Sequence, residues 1–240
     1  MGHNIILTGA SKGLGMTTAQ ILLESGCSVY AINRSITPEI ELLQKQFPEL
    51  YLIEFDLSKT EGLEGFFKTK FPFNLQIHGI INNAAIAYDD LITNLSLPEL
   101  ETMYRVNVFS PMILTKMVIR HMLFHHIRGS IVHVSSISVH TGYKGLAMYA
   151  STKGALEAFS KNTAREWGEK GIRSNCVVAG FMETQMSSTL KEDQKNRIYQ
   201  RTALKLPTSK DSVAETIAFL LSDKTASITG QNIFVDSGTI

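Results

Sequence analysis

The chain has 240 residues, 44% of them hydrophobic and 19% charged, with a formal net charge of +1. This composition excludes a disordered chain and gives bulk charge no pull on nucleic acid, while the length suits one large α/β domain spanning 1–240. No apolar stretch approaches a membrane span and the first residues lack a secretory signal pattern, so a cytoplasmic enzyme is expected.

Residues 5–34 organise the rest. Ile5, Ile6 and Leu7 read as a buried strand, followed by a turn with Gly9, Gly13 and Gly15. A helix is expected over 16–24, ended by Gly26, and a second strand over 27–32. Glycines let the backbone turn sharply and approach a ligand, and the free N–H groups of the helix face a pyrophosphate. An ordinary α/β turn shares the glycines; the strand–turn–helix–strand context favours nucleotide binding. A helix over 35–47 follows, with Pro38 near its start and Pro48 beyond its end. Strand three is expected over 51–55, a helix over 63–70 and strand four over 77–81. Helices over 97–107 and 112–124 come next, then strand five over 130–135. A helix over 148–167, strand six over 172–178, a helix over 210–221 and a last strand over 232–235 complete the pattern. The alternation predicts a doubly wound Rossmann fold, a mostly parallel sheet with helices on both faces. Cys27 and Cys176 both fall in expected strands, which fits buried thiols better than a disulfide framework or a metal site. Residues 181–207 are polar enough for helices over a site or for a solvated excursion.

A second constellation carries chemistry. Tyr149 and Lys153 stand four residues apart, on one face of the expected helix. Ser136 follows strand five, and a parallel sheet gathers such loops at the carboxyl ends of its strands. A phenol titrates near about 10, and a neighbouring Lys153 ammonium is expected to lower that value. Ser136 can donate a hydrogen bond to a carbonyl while Tyr149 gives a proton to its oxygen as hydride reaches the carbon. Alone, the pair also fits a helix surface and Ser136 a strand end.

Together these stretches resemble the short-chain dehydrogenase/reductase family over essentially the whole chain. The nucleotide motif is matched by Thr8-Gly9-Ala10-Ser11-Lys12-Gly13-Leu14-Gly15, and the catalytic motif by Tyr149-Ala150-Ser151-Thr152-Lys153 with Ser136 before it. Asn82-Asn83-Ala84-Ala85 matches a segment usually written Asn-Asn-Ala-Gly, with Ala85 replacing the glycine. The resemblance implies that Asn107 helps retain a water beside the lysine; a helix kink or cap is its other reading. It also implies that Thr184, after the Gly180 turn, contacts the nicotinamide amide, although Ala179 stands where the family has proline. Gly230 and Asp236-Ser237-Gly238 resemble a C-terminal strand and turn that support subunit packing.

The acidic residue that normally receives the ribose hydroxyls of NAD is absent at Asn33. Lys12 and Arg34 can flank a 2′-phosphate, with Ser35 adding a hydrogen bond, which favours NADPH/NADP+. The resemblance places Asp56 on the adenine and Asn83 near its ribose, and adds Ser11, Leu14, Leu57, Ala84 and Met182 to the cofactor set. Within the family the chain is most like the 3-oxoacyl-acyl-carrier-protein reductases, so a 3-oxoacyl thioester on acyl-carrier protein is the expected substrate. Arg120, Arg128, Arg165, Lys170 and Arg173, with His121, His125 and His126, can steer an acidic carrier or be ordinary surface. Lys170 matches a carrier-contact position, whereas Ile127 replaces a second basic one. Reduction of a small or cyclic ketone, with Tyr88, Met182 and Met186 lining a pocket, oxidation of an alcohol, and a non-catalytic nucleotide-binding subunit are the alternatives. Apolar helix surface over 110–124 and 150–167 predicts a homo-oligomer, a tetramer over a dimer.

Overall fold

The structure is a computed structural model that describes residues 2–183 and 192–239. Seven strands form one sheet: β1 Asn4–Thr8, β2 Ser28–Asn33, β3 Leu50–Glu54, β4 Gly79–Asn82, β5 Ser130–Ser136, β6 Arg173–Ala179 and β7 Asn232–Val235. Their spatial order is β3-β2-β1-β4-β5-β6-β7, and every neighbouring pair runs parallel. The order reverses between β1 and β4, so a crevice opens there at the carboxyl ends of the strands.

Alternating side chains build a core on each face of the sheet. Ile5, Leu7, Val132, Val134 and Val177 pack with α1 Gly13–Glu24, α2 Pro38–Gln46 and the later helix Lys210–Leu221. Ile6, Ile80 and Ile131 point the other way, toward α3 Leu63–Lys70 and the helix Ser110–Phe124. Buried on both faces, these strands read as apolar runs, as a parallel sheet requires.

The expected α/β pattern holds, with instructive shifts at its edges. Helix α1 begins at Gly13 rather than at residue 16, because its glycines serve close packing and not helix propensity. Cys27 precedes β2 and is half-buried, while Cys176 lies buried within β6. The helix expected over 97–107 ends early: α4 is Leu97–Tyr104, and a π-helical turn over Arg105–Phe109 leads straight into α5 Ser110–Phe124. A short helix α6, Ser138–Thr141, was not legible; Gly142 ends it at φ 66°. The long helix α7 is Ala147–Trp167, α8 is Glu192–Tyr199 and α9 is Lys210–Leu221. No helix among the described residues is long and apolar enough to cross a membrane, and they hold no cluster suited to a metal ion.

Candidate active site

The turn after β1 forms the floor of the crevice. Gly9 has φ +72°, and a Cβ there would meet the Ala84 backbone at 2.9 Å. At Gly15 a Cβ would stand 2.0 Å from the Gly9 carbonyl oxygen. Asn83 ties this turn to the end of β4, its Nδ2 donating to the Thr8 oxygen at 3.0 Å and the Gly9 oxygen at 2.9 Å. Thr8 Oγ1 returns the tie, accepting from the N–H groups of Asn83 at 3.1 Å and Ala84 at 3.0 Å. Thr8 stood in the glycine motif, but a role in bracing was not readable from its type.

One cleft of about 890 Å³ runs from this turn to the catalytic constellation. Ser11, Lys12, Gly13 and Leu14 line it beside Gly9 and Gly15; Arg34, Ser35, Asp56 and Leu57 line its outer end. Asn83, Ala84 and Ala85 border its middle, and Ser136, Tyr149, Lys153, Gly180 and Met182 its inner end. Asp56 accepts from the Ser58 N–H at 3.0 Å; that bond, with Lys59 and Arg34 nearby, holds its carboxyl below the usual range.

Two expected site residues stand behind the cleft instead of lining it. Asn33 is buried, accepting from the Ala10 N–H at 2.7 Å and donating to the Ala31 oxygen at 3.1 Å, so its side chain shapes the glycine turn. Asn107 sits in the π-helical turn, fully buried. It accepts from the Ile86 N–H at 2.9 Å and donates to the Ile86 oxygen and Thr152 Oγ1 at 2.8 and 3.0 Å. Its side chain thus clamps the strand-four loop to α7, and the kink reading is the one its backbone shows. Tyr88 is committed to the Asn94 oxygen at 3.1 Å. Thr184 and Met186 lie outside the described residues.

Helix α7 brings Tyr149 and Lys153 together as their spacing requires. Lys153 Nζ lies 5.7 Å from the centre of the Tyr149 ring. The expected electrostatics differ, however. Lys153 is buried and donates to the Val134 oxygen at 2.8 Å, and burial pushes its ammonium down to about 8. Tyr149 is pushed up to about 12, mainly by burial and then by the Asp89 carboxylate, with a hydrogen bond to Ser136 opposing. Desolvation disfavours the charged form of each group. Tyr149 is therefore a protonated phenol at neutral pH, an acid ready to donate. Ser136 Oγ accepts from the N–H of Ser138 at 3.2 Å and from Ser138 Oγ at 3.0 Å. The same hydroxyl meets the Tyr149 oxygen, the contact that opposes the rise of that phenol. Such a set can polarise a carbonyl and protonate its oxygen.

A dinucleotide fits the cleft. Only glycine lets the turn pack against Ala84 and itself at Gly9 and Gly15, the first turn of α1 carries no acidic residue, and Lys12 and Arg34 line the cleft for an anion.

The chain is similar to known proteins over nearly its whole length. The family model described as enoyl-(acyl carrier protein) reductase matches residues 9–239. Carbonyl reductase [NADPH] 2 of Sus scrofa is 33% identical over 239 residues, covering 99% of this chain and 96% of that protein. The 3-oxoacyl-[acyl-carrier-protein] reductase FabG of Chlamydia pneumoniae is 30% identical over 241 residues, covering 99% and 97%. Among solved structures, ElxO with NADP bound superposes with a TM-score of 0.91 at 25% identity, covering 100% of this chain and 99% of that one.

Proposed function

The chain belongs to the short-chain dehydrogenase/reductase family of nicotinamide-dependent oxidoreductases, and we propose that it reduces a ketone to a secondary alcohol with NADPH. The observation that carries this reading is the convergence of Ser136, Tyr149 and Lys153 at one end of a cleft whose other end holds Lys12 and Arg34. Lys12 and Arg34 receive the 2′-phosphate, and the turn Gly9 to Gly15 with the start of α1 receives the pyrophosphate. When bound, the nicotinamide supplies the hydride taken up by the carbonyl carbon.

The chain's own residues do the rest. Ser136 donates a hydrogen bond to the carbonyl oxygen and fixes the face presented. Tyr149 transfers its proton to that oxygen as negative charge grows there, which completes the alcohol. Lys153, still an ammonium at neutral pH, steadies the tyrosinate that remains. Asn107 acts at one remove, holding α7 in register with the strand-four loop.

For the substrate, a 3-oxoacyl thioester on acyl-carrier protein has the support of the FabG resemblance. A free small ketone is favoured by where the basic residues lie. Arg173 opens β6, at the end of the sheet opposite Ser136, and donates to the Leu220 and Ser222 oxygens at 2.8 and 3.1 Å. Arg128 precedes β5 and Lys170 precedes β6, at that same far end. His121 packs between Phe67 and Phe73, and His125 engages the Phe73 oxygen. Within one chain, then, these groups do not border the cleft mouth. Turnover with a carrier-bound 3-oxoacyl thioester, its free thioester and a small diketone tests both substrates. No turnover of any of them, despite NADPH binding, would overturn the proposal in favour of a non-catalytic nucleotide-binding subunit.

A further inference from the structure

Glu157 lies one helical turn beyond Lys153, so Tyr149, Lys153 and Glu157 recur at four-residue intervals on one face of α7. Its side chain is only 9% exposed, yet the proposed reaction does not use it. The carboxylate gathers three donors from three elements: Ser135 Oγ in β5, His140 Nε2 in α6 at 3.0 Å and Asn232 Nδ2 in β7 at 2.7 Å. A buried carboxylate persists only with partners of this kind. The His140 ring is also held from its other side, edge-on to Phe234 at 4.9 Å.

His140 hangs from the turn that starts at Ser136. Its N–H donates to the Ile137 oxygen at 2.9 Å, and Ser138 donates twice to Ser136 Oγ. Helix α6 has four residues, too few to hold its shape unaided. We propose that the His140–Glu157 pair is a positioning device: it clamps α6 to α7 and so keeps the Ser136 hydroxyl beside Tyr149. This rests on the role proposed above for Ser136. Both residues act through Ser136 and touch no reacting atom.

Hydrogen exchange of the full-length protein gives a readout independent of turnover. His140→Ala is expected to speed amide exchange over residues 136–142 by roughly tenfold or more, leaving β1 and α1 unchanged. His140→Gln restores the protection, because the glutamine amide can donate to Glu157 from nearly the place of Nε2. Kinetics use acetoacetyl-coenzyme A or, if it is not reduced, diacetyl. There His140→Ala lowers kcat by roughly tenfold with unchanged NADPH affinity, and His140→Gln recovers it. In a Ser136→Ala background, adding His140→Ala costs nothing further, since the clamped group is already gone. Unchanged exchange in His140→Ala, or a full additional loss in the double variant, would overturn the proposal. If Ser136→Ala alone left turnover intact, the reaction mechanism would fail instead, and exchange alone would decide the clamp.

Discussion

Adding one methyl group at Gly15 probes the nucleotide end of the site. Gly15 lies in the first turn of α1, and its φ is not positive, so alanine carries no backbone strain there. Helix propensity alone would favour alanine by about 1 kcal/mol. Space decides otherwise. The new Cβ would stand 2.0 Å from the Gly9 oxygen and 2.7 Å from Asn83 Nδ2. The Gly9 backbone is pinned, its N–H bonded to the Ile32 oxygen at 2.8 Å and its oxygen to Asn83 at 2.9 Å. Overpacking of this kind costs about 1–3 kcal/mol. Driving Asn83 away forfeits two hydrogen bonds worth about 1 kcal/mol each. After the propensity gain, the net loss is about 2–4 kcal/mol, or roughly 5–15 °C in Tm for a chain of this size. Gly26→Ala is the control. With φ +80° and open space around it, its cost is backbone strain of about 1–2 kcal/mol, far from the cleft. NADPH at about a hundred times its Kd should stabilise wild type and Gly26→Ala by about 2.7 kcal/mol, and Gly15→Ala far less. Thermal melts with and without NADPH measure both effects. A Gly15→Ala protein that melts with wild type and keeps the full NADPH shift would refute the reasoning.

Arg34→Ala should weaken NADPH by roughly 10- to 100-fold, the worth of a charge-assisted hydrogen bond, and leave NADH nearly untouched. Equal losses in titrations with the two cofactors would contradict a phosphate contact. Burial holds His133 down to about 3, below its ordinary 6.5, so stability is lost as pH falls from 6.5 toward 3. The rate is about 1.4 kcal/mol per pH unit within that window. Denaturant melts of His133→Gln should lack that component; an identical pH slope in both proteins would rule it out. Finally, the apolar groove between α5 and α7, lined by Ile119, Leu123, Phe159 and Trp167, should be covered by a second copy. Native mass measurement showing a monomer at working concentration would exclude it.

Strand and helix order were legible because several strands are short apolar runs and some helices are bounded by stop signals, such as Gly26 and Pro48. The cleft was legible only from the combination: Gly9 and Gly15 in a strand–turn–helix context, with Tyr149 and Lys153, a pair that alone also fits a helix surface, in the same chain. What escaped was decided by partners distant in sequence. Asn33 and Asn107 were expected beside ligand and water, and the amide bonds that hold them, to Ala10, Ala31, Ile86 and Thr152, could not be read from the sequence. The π-helical turn over Arg105–Phe109 has no local signature; within it Asn107 bonds to two other elements at once. The sign of the Tyr149 shift was missed because four-residue spacing reports proximity and says nothing of burial. Desolvation, which only the packed structure shows, raises the phenol, and the Asp89 carboxylate adds to it. Glu157 is one turn further along the same helix, and its role too depends on Ser135, His140 and Asn232 converging from elsewhere.

That reversal of sign shapes the most direct test of the chemistry. With its phenol held up to about 12, Tyr149 stays protonated throughout the ordinary pH range, whereas Lys153, pressed down to about 8, changes charge within it. Carbonyl reduction by the wild-type protein should therefore decline as pH rises through about 8, where the ammonium is lost, and not near the ordinary phenol value of about 10. Tyr149→Phe keeps the ring and its packing but removes the only proton the mechanism transfers. General acid catalysis contributes about 10²–10⁴-fold, so kcat should fall by that order. NADPH binding should survive, because the lost interaction belongs to the transition state and not to the cofactor complex. Ser136→Ala should lower kcat as well, by removing the group that holds the carbonyl oxygen. The measurement is steady-state reduction of a verified ketone across pH, alongside direct NADPH titration of each variant. A correctly folded Tyr149→Phe protein with kcat near that of wild type would sink the assignment of Tyr149 as the acid, while leaving the nucleotide cleft as described.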